Sequence, residues 1–193
     1  MARKSSKKEH RAEQAREKTR RKRQKWMLWV LTLAVAAGGG AWLYERQANL
    51  PGQQFENMGQ LHIPQGTPAA AYNSSPPTSG PHANAVRWGE HSAGIPEIHQ
   101  VHNLEHGGVL IQYNCARLSD DQDCSRVRTQ LRGIMRKARQ TNGHKIVLAP
   151  YGKMPHPIAI TAWTWLQSFD APDEAAMLAF AEAHYNNAPE DVR

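Results

Sequence analysis

Seven consecutive positions, His102-Asn103-Leu104-Glu105-His106-Gly107-Gly108, bring two imidazoles and a carboxylate together just ahead of an apolar run. Imidazole nitrogen and carboxylate oxygen are the donors that hold zinc and copper ions. His102 and His106 are four apart, so one helical turn puts both rings on the same face, within reach of a single ion. The order is also the H-x-x-E-H string of inverted zinc proteases. Those enzymes carry it on a long helix, however, whereas here a glycine pair and a strand-like run follow at once. Glu105 then has three chemical uses: ligand, general base of a zinc hydrolase, or outer-shell carboxylate that accepts an imidazole N–H and orients a metal-bound histidine, the commonest of the three.

Two other histidines are placed to join this pair. His82 closes Tyr72-Asn73-Ser74-Ser75-Pro76-Pro77-Thr78-Ser79-Gly80-Pro81-His82, a stretch that cannot form a helix interior and reads either as a low-complexity linker or as a rigid arm delivering one side chain. His62 lies in Leu61-His62-Ile63, a candidate short strand. Met154, on the constrained loop Gly152-Lys153-Met154-Pro155-His156, adds a thioether, which by softness would move the preference from zinc toward copper. The expected ligand set is His62, His82, His102, His106 and Met154, with Glu105 in the outer shell and copper slightly ahead of zinc. His91, His99, His144 and His184 have no such support and read as surface residues. A histidine network that fixes loop geometry without any metal is the structural alternative.

The elements that must position these groups are short. Val109-Leu110-Ile111-Gln112-Tyr113 is apolar and β-branched enough for a buried strand. Ser119-Asp120-Asp121-Gln122 reads as a capping box, followed by a helix that buries Val127, Leu131, Ile134, Met135 and Ala138 and stops at Asn142-Gly143. The opposite face, Arg128, Arg132, Arg136 and Arg139, reads as solvated surface. Lys145–Ala149 and Pro157–Trp163 are further strands, and a last helix runs from Ala171 to about Asn187, capped by Asp170 and burying Ala175, Leu178, Ala181 and Tyr185. The expected fold is α+β, a small, mostly antiparallel sheet with two helices. Cys115 and Cys124, the only cysteines, are expected to form a disulfide stapling strand to helix; a soft metal pair is the other reading, at a spacing unlike that of structural zinc sites.

Charge is distributed unevenly along the 193 residues. The first twenty-five hold 12 Lys and Arg against 3 Glu, a net +9, and the rest hold 12 against 14 Asp and Glu, a net −2. The overall +7 therefore marks topology and not a nucleic-acid-binding face, and no aromatics are interleaved with the leader's charges as a stacking platform requires. Residues 26–44 carry no charge for nineteen positions and are flanked by Trp26, Trp29, Trp42 and Tyr44, as in a bilayer-spanning helix with interfacial aromatics. The expected organisation is a basic cytoplasmic leader (1–25), a transmembrane helix (26–44), a linker (45–54) and an α+β domain (55–190). With basic residues kept inside, the chain is a single-pass inner-membrane protein with its C-terminal domain periplasmic and the lipid bilayer as partner. A cleaved signal peptide with a small-residue site at Ala34-Val35-Ala36 is the competing reading.

Four blocks, Tyr72 with Pro76-Pro77-Thr78-Ser79-Gly80-Pro81-His82, His102-Asn103-Leu104-Glu105-His106-Gly107, Ile158-Ala159-Ile160-Thr161-Ala162-Trp163 and Ala188-Pro189-Glu190, resemble the signature of domain of unknown function 3105. That family consists of bacterial, mostly membrane-anchored exported proteins. The resemblance covers about residues 55–190 and implies a shared fold and a shared constellation of His82, His102, Glu105 and His106. It brings no activity, and the cysteine pair lies outside its pattern.

Overall fold

The computed structural model describes residues 2–68, 71–120 and 122–190, leaving out the side chains of 2–15, 17, 19, 43 and 46–48. It divides into two units, residues 1–49 and 50–193. The first is one helix, α1 (Ala2–Ala48). The basic leader, whose charges suit a solvated tail, is thus helical, in keeping with its content of Lys, Arg, Glu, Gln and Ala, all strong helix formers. The same helix runs on through the charge-free stretch 26–44. Among the described residues no helix is long and apolar enough to cross a membrane.

The second unit is built on a six-stranded sheet. Its strands are β1 (Gln53–Gln54), β2 (Gly89–Glu90), β3 (Val109–Tyr113), β4 (Ile146–Pro150), β5 (Ile158–Ala162) and β6 (Trp165–Phe169), in the order β1-β6-β5-β3-β4-β2. The β1–β6, β6–β5 and β5–β3 pairs are antiparallel, whereas β3–β4 and β4–β2 are parallel, so the sheet is mixed, with three antiparallel pairs to two parallel ones. The reason lies in the connection: β3 is followed by α3 (Cys124–Thr141), and a helical crossover returns the chain to a parallel neighbour. β1 lies within the segment expected to be linker, because Gln53 and Gln54 pair with Leu166 and Trp165.

Both faces of the sheet are covered. Val109, Ile111, Ile146, Leu148, Ile158 and Ile160 point to one side, under α3 and α4 (Glu174–His184), which supply Leu131, Ile134, Met177 and Phe180. Leu110, Val147 and Ala149 alternate to the other side, under α2 (Glu97–Glu105), which supplies Val101 and Leu104. Among the described residues the domain therefore has three α-helices rather than two. Ile98, Val101 and Leu104 at helical spacing form the buried stripe of α2, a signal diluted among the histidines of a segment that reads as loop up to Gln100.

Local chemistry explains the other departures. β6 follows β5 through the two-residue turn Trp163-Thr164, with Thr164 at φ 62, a left-handed conformation unusual for a β-branched residue and unmarked by Asn or Gly. Helix α3 starts at Cys124 with Asp123 as its cap, accepting from the Arg126 N–H at 2.9 Å, beyond the expected capping box; Asp121 of that box lies outside the described residues. Helix α4 is capped by Asp173 instead of Asp170, and its inward face is Met177, Phe180, Ala181 and His184, leaving Ala175 exposed. His184 is accordingly a core residue and not a surface one: its Nε2–H donates to Pro51 O at 2.8 Å, and its ring packs between Trp165 and Phe180. Cys115 and Cys124 are joined by a disulfide, tying the turn after β3 to the first residue of α3.

Candidate metal centre

Residues 72–82 are an ordered arm. Thr78 and Ser79 are fully buried; the Tyr72 hydroxyl donates to Pro81 O at 2.6 Å, Ser79 Oγ accepts from the Met58 N–H at 3.0 Å, and Thr78 O accepts from the Thr164 N–H at 3.0 Å. The arm ends in a one-pair parallel bridge in which the His82 N–H donates to Leu61 O and the Ile63 N–H donates to His82 O, at 2.9 and 2.8 Å. This bridge sets His62 and His82 side by side, with ring centroids 4.4 Å apart.

Past His82 the chain is stitched along α2. The Ala83 N–H donates to Ile98 O, Asn103 makes both amide hydrogen bonds to the backbone of Val86 at 2.9 Å, and His102 Nδ1–H donates to Ala83 O at 2.6 Å. At its C-terminus α2 closes in a Schellman motif: the Gly107 N–H bonds Leu104 O and the Gly108 N–H bonds Asn103 O, with Gly107 at φ 77. Side chains are excluded at both positions, since a Cβ on Gly107 would lie 2.7 Å from Asn186 Cα and one on Gly108 would lie 2.5 Å from the Trp88 ring. Lys145, itself buried, donates from Nζ to His106 O and to Asn186 Oδ1 at 3.0 and 2.9 Å, placing its charge at the helix C-terminus, where the macrodipole favours it. The Asn186 N–H then bonds Gly107 O and the Glu190 N–H bonds Glu105 O, which brings the C-terminal tail over the end of α2.

These elements gather His62, His82, His102 and Glu105 so that one ligand atom from each lies within 4.8 Å of the others. His82 and Glu105 are almost wholly buried, whereas the His62 side chain is 53% exposed and forms the open side. His82 Nδ1–H donates to Gly80 O at 2.8 Å, as His102 Nδ1–H does to Ala83 O, so in its neutral form each ring carries the proton on Nδ1 and a lone pair on Nε2. Anchoring one ring nitrogen to a backbone carbonyl while freeing the other is how proteins orient a metal-bound histidine. Burial, together with the neighbouring His106, His82 and His62, pushes the His102 pKa down against the opposing pull of Ala83 O, which keeps the ring neutral and able to ligate.

His82 Nε2 and Glu105 Oε2 are 2.8 Å apart, an ion-pair distance, yet both are buried without a hydrogen-bond partner. A buried imidazole nitrogen and a carboxylate oxygen turned toward one another are donors that one ion can bridge. Glu105 Oε2 is also 3.6 Å from His62 Nε2, so the carboxylate expected in the outer shell faces the same space as the ring nitrogens. His106 is turned differently. Its Nε2 lies 3.0 Å from His102 Nε2 and 3.1 Å from Glu190 Oε2, and Glu105, His106 and Glu190 form a second group of convergent donors. Glu190 was visible in sequence only as part of the Ala188-Pro189-Glu190 block. Met154 is buried in a separate apolar cluster with Tyr151 and Ala159, a packing position.

A two-faced α+β domain whose proline arm, short helix and C-terminal tail meet at one histidine–carboxylate cluster is the class of protein that fold and site define. Residues 62–193 match the family described as Protein of unknown function (DUF3105), and the chain belongs to that family. No curated protein and no solved structure matches it.

Proposed function

We propose that the domain is a membrane-tethered, extracytoplasmic module that binds a divalent transition metal ion through His62, His82, His102 and Glu105. The observation that carries this reading is the pair of rings anchored through Nδ1, with the Nε2 of His82 and Oε2 of Glu105 buried, adjacent and without hydrogen bonds. Three imidazole nitrogens and a carboxylate oxygen, with no sulfur, suit zinc or a similar borderline ion. With Met154 in a packing position, the argument for copper over zinc loses its support. A hydrolase using Glu105 as base is the weaker alternative, because in this reading that carboxylate is taken up as a ligand.

The tether rests on the charge-free stretch 26–44 and the +9 leader before it, and the Cys115–Cys124 disulfide suits an oxidising compartment outside the cytoplasm. Plasma mass spectrometry of the purified chain should find bound metal that is lost in His82→Ala and His102→Ala. Metal at background level, or unchanged by both substitutions, overturns the reading. Carbonate extraction of membranes should leave the chain in the pellet, and its release into the supernatant rejects the tether.

A further inference from the structure

The centre has more lone pairs than one ion needs. His102 Nε2 is bare because Nδ1 holds the proton, and His106 Nε2 faces both this bare nitrogen at 3.0 Å and Glu190 Oε2 at 3.1 Å, so one N–H at most serves two acceptors. Glu105 stands between the two donor groups and belongs to both. Its Oε2 is buried without a hydrogen bond and lies 2.8 Å from His82 Nε2, so the carboxylate shared with the Glu190 group is one the fold leaves without a hydrogen-bonded partner. The tail carrying Glu190 is fixed in place by its backbone hydrogen bond to Glu105 O at 3.2 Å and by Asn186 on Gly107 O at 2.9 Å, so the second carboxylate is presented by structure and not by chance.

We infer that the centre takes a second divalent transition metal ion, held by His106 and Glu190 and bridged to the first by the Glu105 carboxylate. Two ions sharing a carboxylate sit about 3.5–4 Å apart in known two-metal sites, a spacing compatible with donor groups joined through one residue. Both carboxylates are then matched by cation charge, and the solvent-facing His62 and Glu190 leave the pair open on the side from which an exogenous ligand would enter. This inference rests on the proposed metal-binding reading and extends it from one ion to two.

Detergent-solubilised full-length chain, stripped with chelator and titrated with zinc, should bind two ions per chain by calorimetry and by metal analysis after desalting. Glu190→Gln, at a half-exposed position where folding is little affected, should bind one, and His106→Asn should do the same. A manganese(II)-loaded sample should show the spin-coupled resonance of a close pair in the wild type and an isolated-ion signal in Glu190→Gln. One ion per chain in the wild type overturns the inference while leaving the single-ion reading intact. Two ions that persist in both variants overturn the assignment to His106 and Glu190, and zero overturns both readings.

Discussion

Replacing Glu105 by Gln separates a metal centre from a metal-free scaffold at the level of one atom. In a scaffold, the buried contact between Glu105 Oε2 and His82 Nε2 is an ion pair, and neutralising one member costs about 3 kcal/mol or more. In a metal centre without its ion the two lone pairs oppose one another, and a glutamine amide can donate to His82 Nε2. Glu105→Gln should therefore stabilise the stripped protein by about 1 kcal/mol in urea unfolding, while abolishing the stabilisation that zinc gives the wild type. A second residue-scale prediction concerns pH. Burial lowers the His184 pKa, so the unfolded chain takes up the proton first; the contribution of His184 is complete above about pH 6.5 and is lost as pH falls below it. The stability slope between pH 6.5 and 5 should be shallower in His184→Gln.

At the scale of elements, the end of α2 positions the site. Gly108→Ala places a methyl 2.5 Å from the Trp88 ring and 2.7 Å from Asn103 O, and overpacking of this kind costs about 1–3 kcal/mol. Because Asn103 also holds the segment that orients His102, the variant should bind zinc more weakly as well as unfold earlier, whereas Gly152→Ala, with no atom near its Cβ, should do neither. The disulfide closes a loop of about ten residues, and the Cys115→Ser/Cys124→Ser variant should lose about 2–3 kcal/mol with metal stoichiometry unchanged.

The same elements show what the chain reveals and hides. The i, i+4 histidines, the glycine stop and the proline arm ending at His82 were legible because each is a local rule, and these rules put His82, His102 and Glu105 in one place. Glu190 was not, because its position depends on where the tail returns after α4, and Met154, whose softness says nothing of where its loop points, lies in a separate apolar cluster. β6 escaped notice because its turn uses Trp163-Thr164 instead of a glycine or asparagine signal.

For the whole molecule, the arrangement is a rigid mixed sheet with the centre assembled on its α2 side by three segments far apart in sequence: the bridge at His62 and His82, the end of α2, and the tail to Glu190. Binding an ion ties these segments together, so zinc should raise the unfolding temperature of the domain and slow amide exchange at His82, His102 and Glu190 together. The most direct test is X-ray absorption at the zinc edge on the loaded full-length chain. The account predicts a first shell of nitrogen and oxygen only, near 2.0–2.1 Å, with the outer-shell scattering of imidazole. A sulfur shell near 2.3 Å, or a wild-type spectrum indistinguishable from that of hydrated zinc, would contradict it.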